Sequence, residues 1–443
     1  MKNFPNAFVI ILCAIVAAWL LSFLVPAGQY QRIEDVESKR TVVVADSYRQ
    51  VEVQVVSVLD FITAIPRGIA GRAETMVLIL LLGGCFYVIE KTGALSQGLN
   101  RLVLLLHGRE TLALVIVPLL FITGGVTIGL QEEVIALTPV LLIFCRNLGY
   151  DKLTIILASY GSSVVGSSFS PSNPFGVLIA QREAGVELLS GFEFRVGALL
   201  VATILWIAFI IYYGKRNRVE KEVPENAEEP FSSRSLIILG LVVATFLLVT
   251  YGLLVLDWGF NELSACFFAL GIVAGLIGRL GLEGTTTHYI EGFKEMVFAA
   301  IIIGLANAIS LLLKEGMIID TIVYALFGPL QYLDTAVSAL LMMVSHAVLH
   351  LPIPSYSGQA VLTMPILTPL SDLIGLSRQT CVLAYQYGAI LMDMVIPTNG
   401  ALMAVLAVAG VSYDRWLKFI WRPLLMLLIL AAATILVAIW LGI

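Results

Sequence analysis

Apolar stretches of about 20 residues follow one another almost from end to end of this chain, each long enough to cross the hydrocarbon core of a bilayer as a helix. That feature excludes most folds. In lipid every backbone amide and carbonyl needs an internal partner, so spanning segments of this length are helices, not open sheets. Of 443 residues, 59% are hydrophobic and only 13% charged, against roughly 25% charged in a soluble domain. No room remains for a sizeable soluble domain, and a net charge of −5 spread over loops argues against a nucleic-acid partner. The expected fold class is an all-α polytopic membrane protein in contact with the lipid bilayer.

Full crossings are expected near residues 7–25, 75–93, 152–182, 192–213, 235–256, 262–280, 296–314, 378–409 and 421–442, about nine transmembrane helices. Two more apolar segments, 110–147 and 334–373, are too long for one crossing. The first is interrupted from Gly124-Gly125 to Glu133, the second from Pro352 to Gln359. Each reads as a re-entrant hairpin, because non-helical backbone at membrane depth survives only against protein or a watery cavity. The first apolar run, after Lys2, is longer than a signal-peptide core and lacks a small-x-small cleavage site before Pro26-Ala27-Gly28, so it is expected to remain as a span. Cys13, Cys85, Cys145, Cys266 and Cys381 sit in or beside apolar stretches without a Cys-x-x-Cys pair, and read as packing residues.

The halves repeat each other. Pro139, Gly149, Pro171 and Asn173 recur 226 residues later as Pro365, Gly375, Pro397 and Asn399, and Thr154, Leu157 and Ala158 recur as Thr380, Leu383 and Ala384 at the same offset. An even number of crossings plus one hairpin turns the second copy over, so the repeats are expected to be inverted: 1–213 with hairpin 110–147 and broken helix 152–182, and 257–443 with hairpin 334–373 and broken helix 378–409. Between them lie a charged linker, 214–234, and a connecting helix, 235–256. The Lys and Arg of the short loops put the N-terminus and the linker in the cytoplasm and the C-terminus outside. Inverted repeats around broken helices are the architecture of many secondary transporters, with substrate and ions held where helices unwind.

The candidate site follows from the interruptions. In Ser170-Pro171-Ser172-Asn173-Pro174 a helix must break, since proline lacks an amide donor and clashes with the preceding turn. Freed backbone groups, the hydroxyls of Ser168, Ser170 and Ser172 and the amide of Asn173 would suit Na⁺ or a polar solute. Pro397-Thr398-Asn399-Gly400 repeats the motif, making Thr398 and Asn399 the matching candidates; a simple proline kink is the alternative reading of either. The first hairpin tip carries Thr127, Glu132 and Glu133, and ionised groups in an apolar setting are costly and by default functional; two solvated acids on a cytoplasmic loop are the bland alternative. The second tip offers Ser355, Ser357 and Gln359. Gln386 and Asp393 lie on the apolar helix leading to the second break, where an Asp needs a partner or an ion. His346 and His350 have metal-ligand spacing but no accompanying third ligand, and read as a hydrogen-bonded helix pair. No metal or other cofactor is expected; Na⁺ or H⁺ is the candidate coupling ion. No hydrolase elbow, zinc motif or phosphate loop appears, so a transporter is expected, an ion channel or cation/proton exchanger stands second, and an intramembrane enzyme third.

Taken together, Val25-Pro26-Ala27-Gly28-x-Tyr30, Gly83-Gly84, Lys91-Thr92-Gly93-Ala94, Gly129-x-x-Glu132-Glu133, Leu148-Gly149-Tyr150-Asp151, Asn173-Pro174-Phe175, Ser357-Gly358-Gln359-Ala360, Met364-Pro365, Pro369-Leu370-x-Asp372 and Pro397-Thr398-Asn399-Gly400 give the chain a specific resemblance. Over nearly its whole length it resembles the C4-dicarboxylate anaerobic carrier family (DcuC-type, YfcC-like) of the ion transporter superfamily. The resemblance implies a scaffold domain, a mobile transport domain of hairpins and broken helices, and a homodimer working by an elevator movement in the plasma membrane, which is the inner membrane of a Gram-negative cell. Its substrates divide between C4-dicarboxylates and basic amino acids. The four site segments carry no Lys or Arg, so amino acids are expected over dicarboxylates, which would need their charge neutralised by other means.

Overall fold

The computed structural model describes residues 7–35, 40–44, 47–52, 56–105, 109–221, 232–256 and 258–443; Lys2 and residues 222–231 of the expected linker lie outside the described residues. In chain order the helices are α1 (Ala7–Leu24), α2 (Val58–Ala70), α3 (Ala73–Lys91), α4 (Ala94–Leu105), α5 (Ala113–Ile128), α6 (Glu132–Leu148), α7 (Lys152–Ile156), α8 (Ser162–Ser168), α9 (Ile179–Glu183), α10 (Phe192–Arg216), α11 (Ser233–Val255), α12 (Phe260–Ile277), α13 (Gly281–Glu315), α14 (Ile319–Phe327), α15 (Thr335–His350), α16 (Tyr356–Leu373), α17 (Arg378–Leu391), α18 (Gly400–Ala409) and α19 (Tyr413–Leu441). Short strands β1 (Gly28–Gln29) and β4 (Arg49–Gln50) pair antiparallel, as do β2 (Arg32–Asp35) and β3 (Arg40–Val43).

Among the described residues seven helices are long and apolar enough to cross a bilayer: α3, Glu110–Ile128, α10, Ser233–Gly252, α12, α13 and α19. Shorter apolar helices, α15 and α18 among them, supply the rest of an all-α polytopic membrane protein. The segments 152–182 and 378–409 are divided into pieces too short to span alone. The outer faces suit lipid: α11 alone exposes Leu236, Ile237, Val243, Leu247, Leu248 and Val255.

Polar residues at the ends of apolar runs set where helices begin and stop. Asp151 caps α7 through the Thr154 amide, Ser377 caps α17 through Thr380, and Asp334 caps α15 through Ala336. Gly129 ends α5 and Gly149 ends α6, both left-handed, a conformation that costs any other residue more. α5 and α6 thus form a helix–turn–helix unit where 110–147 stands in the sequence, and α15 and α16 form another within 334–373.

In each half the first hairpin helix lies against the helix that runs into the break: α5 against α8, α15 against α17. Glycines bring these pairs together. A Cβ on Gly166 would sit 2.2 Å from the Ile122 carbonyl oxygen, and one on Gly388 would sit 2.1 Å from that of Met343. A second body of packing centres on α13, which runs for 35 residues and touches α1, α2, α3, α12 and α18. Its start is pinned to α12: a Cβ on Gly275 would meet Thr285 Oγ1 at 2.3 Å. The expected span at 296–314 is only the apolar part of this helix, whose first turns carry Thr285, Thr286, Thr287, His288 and Glu291. The amphipathic α2 and α4 and the short α14 have no counterpart among the expected spans. All five cysteines are free.

Candidate functional site

The first break is tied to the first hairpin. Asn173, fully buried, accepts the amides of Phe175 (3.0 Å) and Gly176 (2.9 Å) on Oδ1, and so caps the π-helical turn Pro174–Leu178. Its Nδ2 donates to the Gly125 carbonyl at 2.8 Å. Ser170 Oγ donates to the Val126 carbonyl (2.9 Å) and accepts the amides of Ser172 and Asn173. Ser163 Oγ donates to the Leu130 carbonyl at the hairpin tip. Ser168 Oγ bonds back within its helix to Val164, and Thr127 does likewise to Thr123. Gln386 Nε2 donates to the freed Ser170 carbonyl at 2.8 Å, while its Oε1 accepts from the buried Arg195.

The second break is built around a carboxylate. Asp393 sits in the 3₁₀ turn Met392–Met394 between α17 and α18, fully buried. Its Oδ1 accepts from Asn399 Nδ2 at 2.5 Å and faces His350 Nε2 at 3.0 Å. Its Oδ2 accepts from Gln131 Nε2 at 2.9 Å and from the Tyr356 hydroxyl. Both hairpin tips therefore converge on one side chain, Gln131 from the first and Tyr356 from the second. Asn399 also caps α18 through the Leu402 amide (2.8 Å) and accepts from Tyr160 at 3.2 Å. Thr398 Oγ1 donates to the Leu351 carbonyl, fastening the second tip to the second break. His346 and His350 do not bond each other, as the helix-pair reading expected; both bond Gln359.

These elements enclose a cavity of about 340 Å³. Its wall brings together Glu132, Glu133, Ser355, Ser357, Asp393, Thr398 and Asn399, all expected from the sequence. Both glutamates face it, where one was expected to turn away. Ser168, Ser170, Ser172, Asn173, Gln359, Gln386 and Thr127 do not line it. The cavity also takes Ile303, Ala306, Asn307 and Ser310 from α13, Trp258 from just before α12 and Phe260 from its first turn, and Gly400 and Ala401 from the first turn of α18. Arg72, at the corner between α2 and α3, supplies a guanidinium to a wall that otherwise carries three carboxylates. Sequence reading passed over Arg72, Gln131, Tyr160 and Tyr356, and gave His350 a helix-pairing role only. The first lies between two helices of which only one was foreseen. Gln131 and Tyr356 stood inside the tips as singled out, with only their position at the tip as a signal.

A lipid-facing helical body that encloses a polar, charged cavity between two interrupted helices defines a membrane transport protein. The sequence matches the family described as C4-dicarboxylate anaerobic carrier, DcuC, over residues 4–440. The chain belongs to that family, whose members are carriers and not enzymes. It is 30% identical to an uncharacterised protein of Haemophilus influenzae over 98% of this chain and 96% of the relative. It is 33% identical to an Escherichia coli protein described as "Putative basic amino acid antiporter YfcC", over 77% of this chain and 73% of the relative. Among solved structures, the YdaH transporter of Alcanivorax borkumensis aligns at 17% identity and a TM-score of 0.45, over 99% of both chains. The MtrF structure of Neisseria gonorrhoeae aligns at 18% and 0.44, over 98% of this chain and 95% of the other.

Proposed function

We propose that this carrier is a secondary active transporter of amino acids, basic ones included, working by ion coupling or exchange with H⁺ or Na⁺ as the coupling ion. The observation that carries the reading is the charge pattern of the cavity wall. Glu132, Glu133 and Asp393 line the cavity together with one arginine, Arg72, and the N-terminal turn of α18. A helix N-terminus and an Arg suit a carboxylate, and the opposing acids suit an ammonium. A zwitterion with an additional cationic group meets both; a dicarboxylate meets three like charges and needs co-bound cations. The family description favours that second substrate class, and it is the alternative under test.

In this reading residues 1–213 and 257–443 are inverted repeats joined by the cytoplasmic linker and the connecting helix. The two hairpins and two broken helices move as a transport domain against a scaffold that includes α3, α12 and α13. Two copies form a dimer in the plasma membrane, the inner membrane of a Gram-negative cell. The test is uptake into proteoliposomes of radiolabelled arginine, lysine, alanine, succinate and fumarate, with and without Na⁺. Amino-acid uptake competed by unlabelled arginine is expected. Succinate or fumarate uptake with no amino-acid uptake would overturn the assignment.

A further inference from the structure

Behind the cavity, four buried side chains form a series in which geometry fixes the hydrogens. Gln359 Nε2 donates to the backbone carbonyl of His346 at 3.0 Å; a carbonyl only accepts, so the amide's orientation is set. Gln359 Oε1 then faces His350 Nδ1 at 2.7 Å, and that nitrogen must carry hydrogen. The second Gln359 N–H points to His346 Nδ1 at 2.9 Å, which makes this nitrogen an acceptor and places the His346 hydrogen on Nε2. That atom is buried and has no hydrogen-bond partner among the described residues. The rings of Phe327 and Tyr385 lie against the imidazole. The series ends blind at His346, so exchange with water takes place at its other end, where Asp393 meets the cavity.

With His350 Nδ1 protonated, two arrangements fit the 3.0 Å approach of Nε2 to Asp393 Oδ1: imidazolium beside carboxylate, or neutral imidazole accepting from a carboxylic acid. Both contain the same single proton, which belongs to the pair and not to either residue. Its removal sets two lone pairs against each other and leaves a buried negative charge, a state that needs another cation at Asp393.

We infer that Asp393 and His350 form a proton-binding dyad, and that its proton is the ion exchanged for the ammonium or guanidinium group of the substrate. The inference rests on the amino-acid reading above for the identity of the exchanged cation. The exchange balances: the substrate cation approaches Asp393 from the cavity, the proton between Oδ1 and Nε2 leaves to cavity water, and the charge at the site is unchanged. Other titratable groups surround the dyad: Glu132 and Glu133 on α6 and Arg72 in the same cavity wall, Tyr356 on α16, Tyr160 in the π-helical turn Leu157–Gly161, Tyr385 on α17 and His346 on α15. The glutamates are the rival proton carriers. Asp393 differs from them in having a base fixed behind it.

Two measurements on the purified full-length protein test this. The first needs no substrate: infrared difference spectra between acid and alkaline buffers should contain carboxyl and imidazole bands that vanish together in His350→Gln and in Asp393→Asn. The second is L-arginine binding as a function of pH. In wild type the apparent Kd should rise tenfold per pH unit on the acid side; His350→Gln should flatten this slope, and Glu132→Gln and Glu133→Gln should keep it. Wild-type spectra without the paired bands overturn the dyad whether or not any variant folds. A slope lost in a glutamate variant but kept in His350→Gln moves the proton to α6 and overturns it as well. Paired bands with no arginine binding at any pH leave the dyad standing as a proton site and refute the exchange and the amino-acid reading.

Discussion

Replacing Asn173 and Asn399 by alanine, one at a time, separates two roles that the repeat gives to matching residues. Asn173 is fully buried and its side chain bonds only backbone groups: it accepts two amides and donates to the Gly125 carbonyl. The Gly125 carbonyl keeps Ser167 Oγ at 3.0 Å, so it is not stranded; the two amides are. Loss of an N-cap costs about 1 kcal/mol, rising to about 3 kcal/mol where a donor it held is left buried, so Asn173→Ala should lower stability by about 1–3 kcal/mol. Asn399 lines the cavity, and its Nδ2 holds Asp393 Oδ1 at 2.5 Å. Asn399→Ala should weaken substrate binding by about 1–3 kcal/mol, which is roughly ten- to a hundredfold in Kd. The assay pairs a melting curve in detergent with arginine binding by scintillation proximity. Asn173→Ala should melt early yet bind with near-parental affinity while folded; Asn399→Ala should bind weakly. An Asn173→Ala protein that melts with the parent, or an Asn399→Ala protein that binds with it, refutes the division.

Gly166→Ala places a methyl group 2.2 Å from the Ile122 carbonyl, so α5 and α8 must separate; a loss of about 1–3 kcal/mol in a detergent melting experiment is expected. Arg72→Ala should weaken binding of arginine by about tenfold or more while leaving agmatine, its decarboxylated analogue, nearly unaffected in competition assays, since a charged hydrogen bond contributes about 1.5–3 kcal/mol. A cytoplasmic reporter should be active when inserted in the 214–234 linker and silent when fused after residue 443; activity at both sites contradicts the proposed topology.

Hydropathy located the long apolar helices and missed the short or amphipathic ones. α2 and α4 are amphipathic, and α14 is nine residues long, so none stands out as an apolar run. The breaks were legible because proline states its constraint locally: Pro171 and Pro397 stand where the helices stop. What filled the site was legible only in part. The bonds that converge on Asp393 join residues as far apart as Gln131 and Asp393, and no local pattern announces such a pairing. Arg72 is the clearest case, since the two hairpin tips and the two break motifs carry no Lys or Arg and the cavity wall has an arginine. The two histidines share a helix face, as their spacing required, but what unites them is the side chain of Gln359 on the facing helix.

The length of α13 gives it leverage. At 1.5 Å per residue its 35 residues extend about 52 Å, well beyond a hydrocarbon core of about 30 Å. Its start is wedged into α12 at Gly275, and Asn307, in the cavity wall, stands about 39 Å along the rod. A rotation of about 5° at that corner would displace Asn307 by about 3 Å, the diameter of a water molecule. The width of the cavity is thus sensitive to how closely two helices fit at a corner far outside it, and enlarging Gly275 is expected to change that width without altering any residue of the cavity wall.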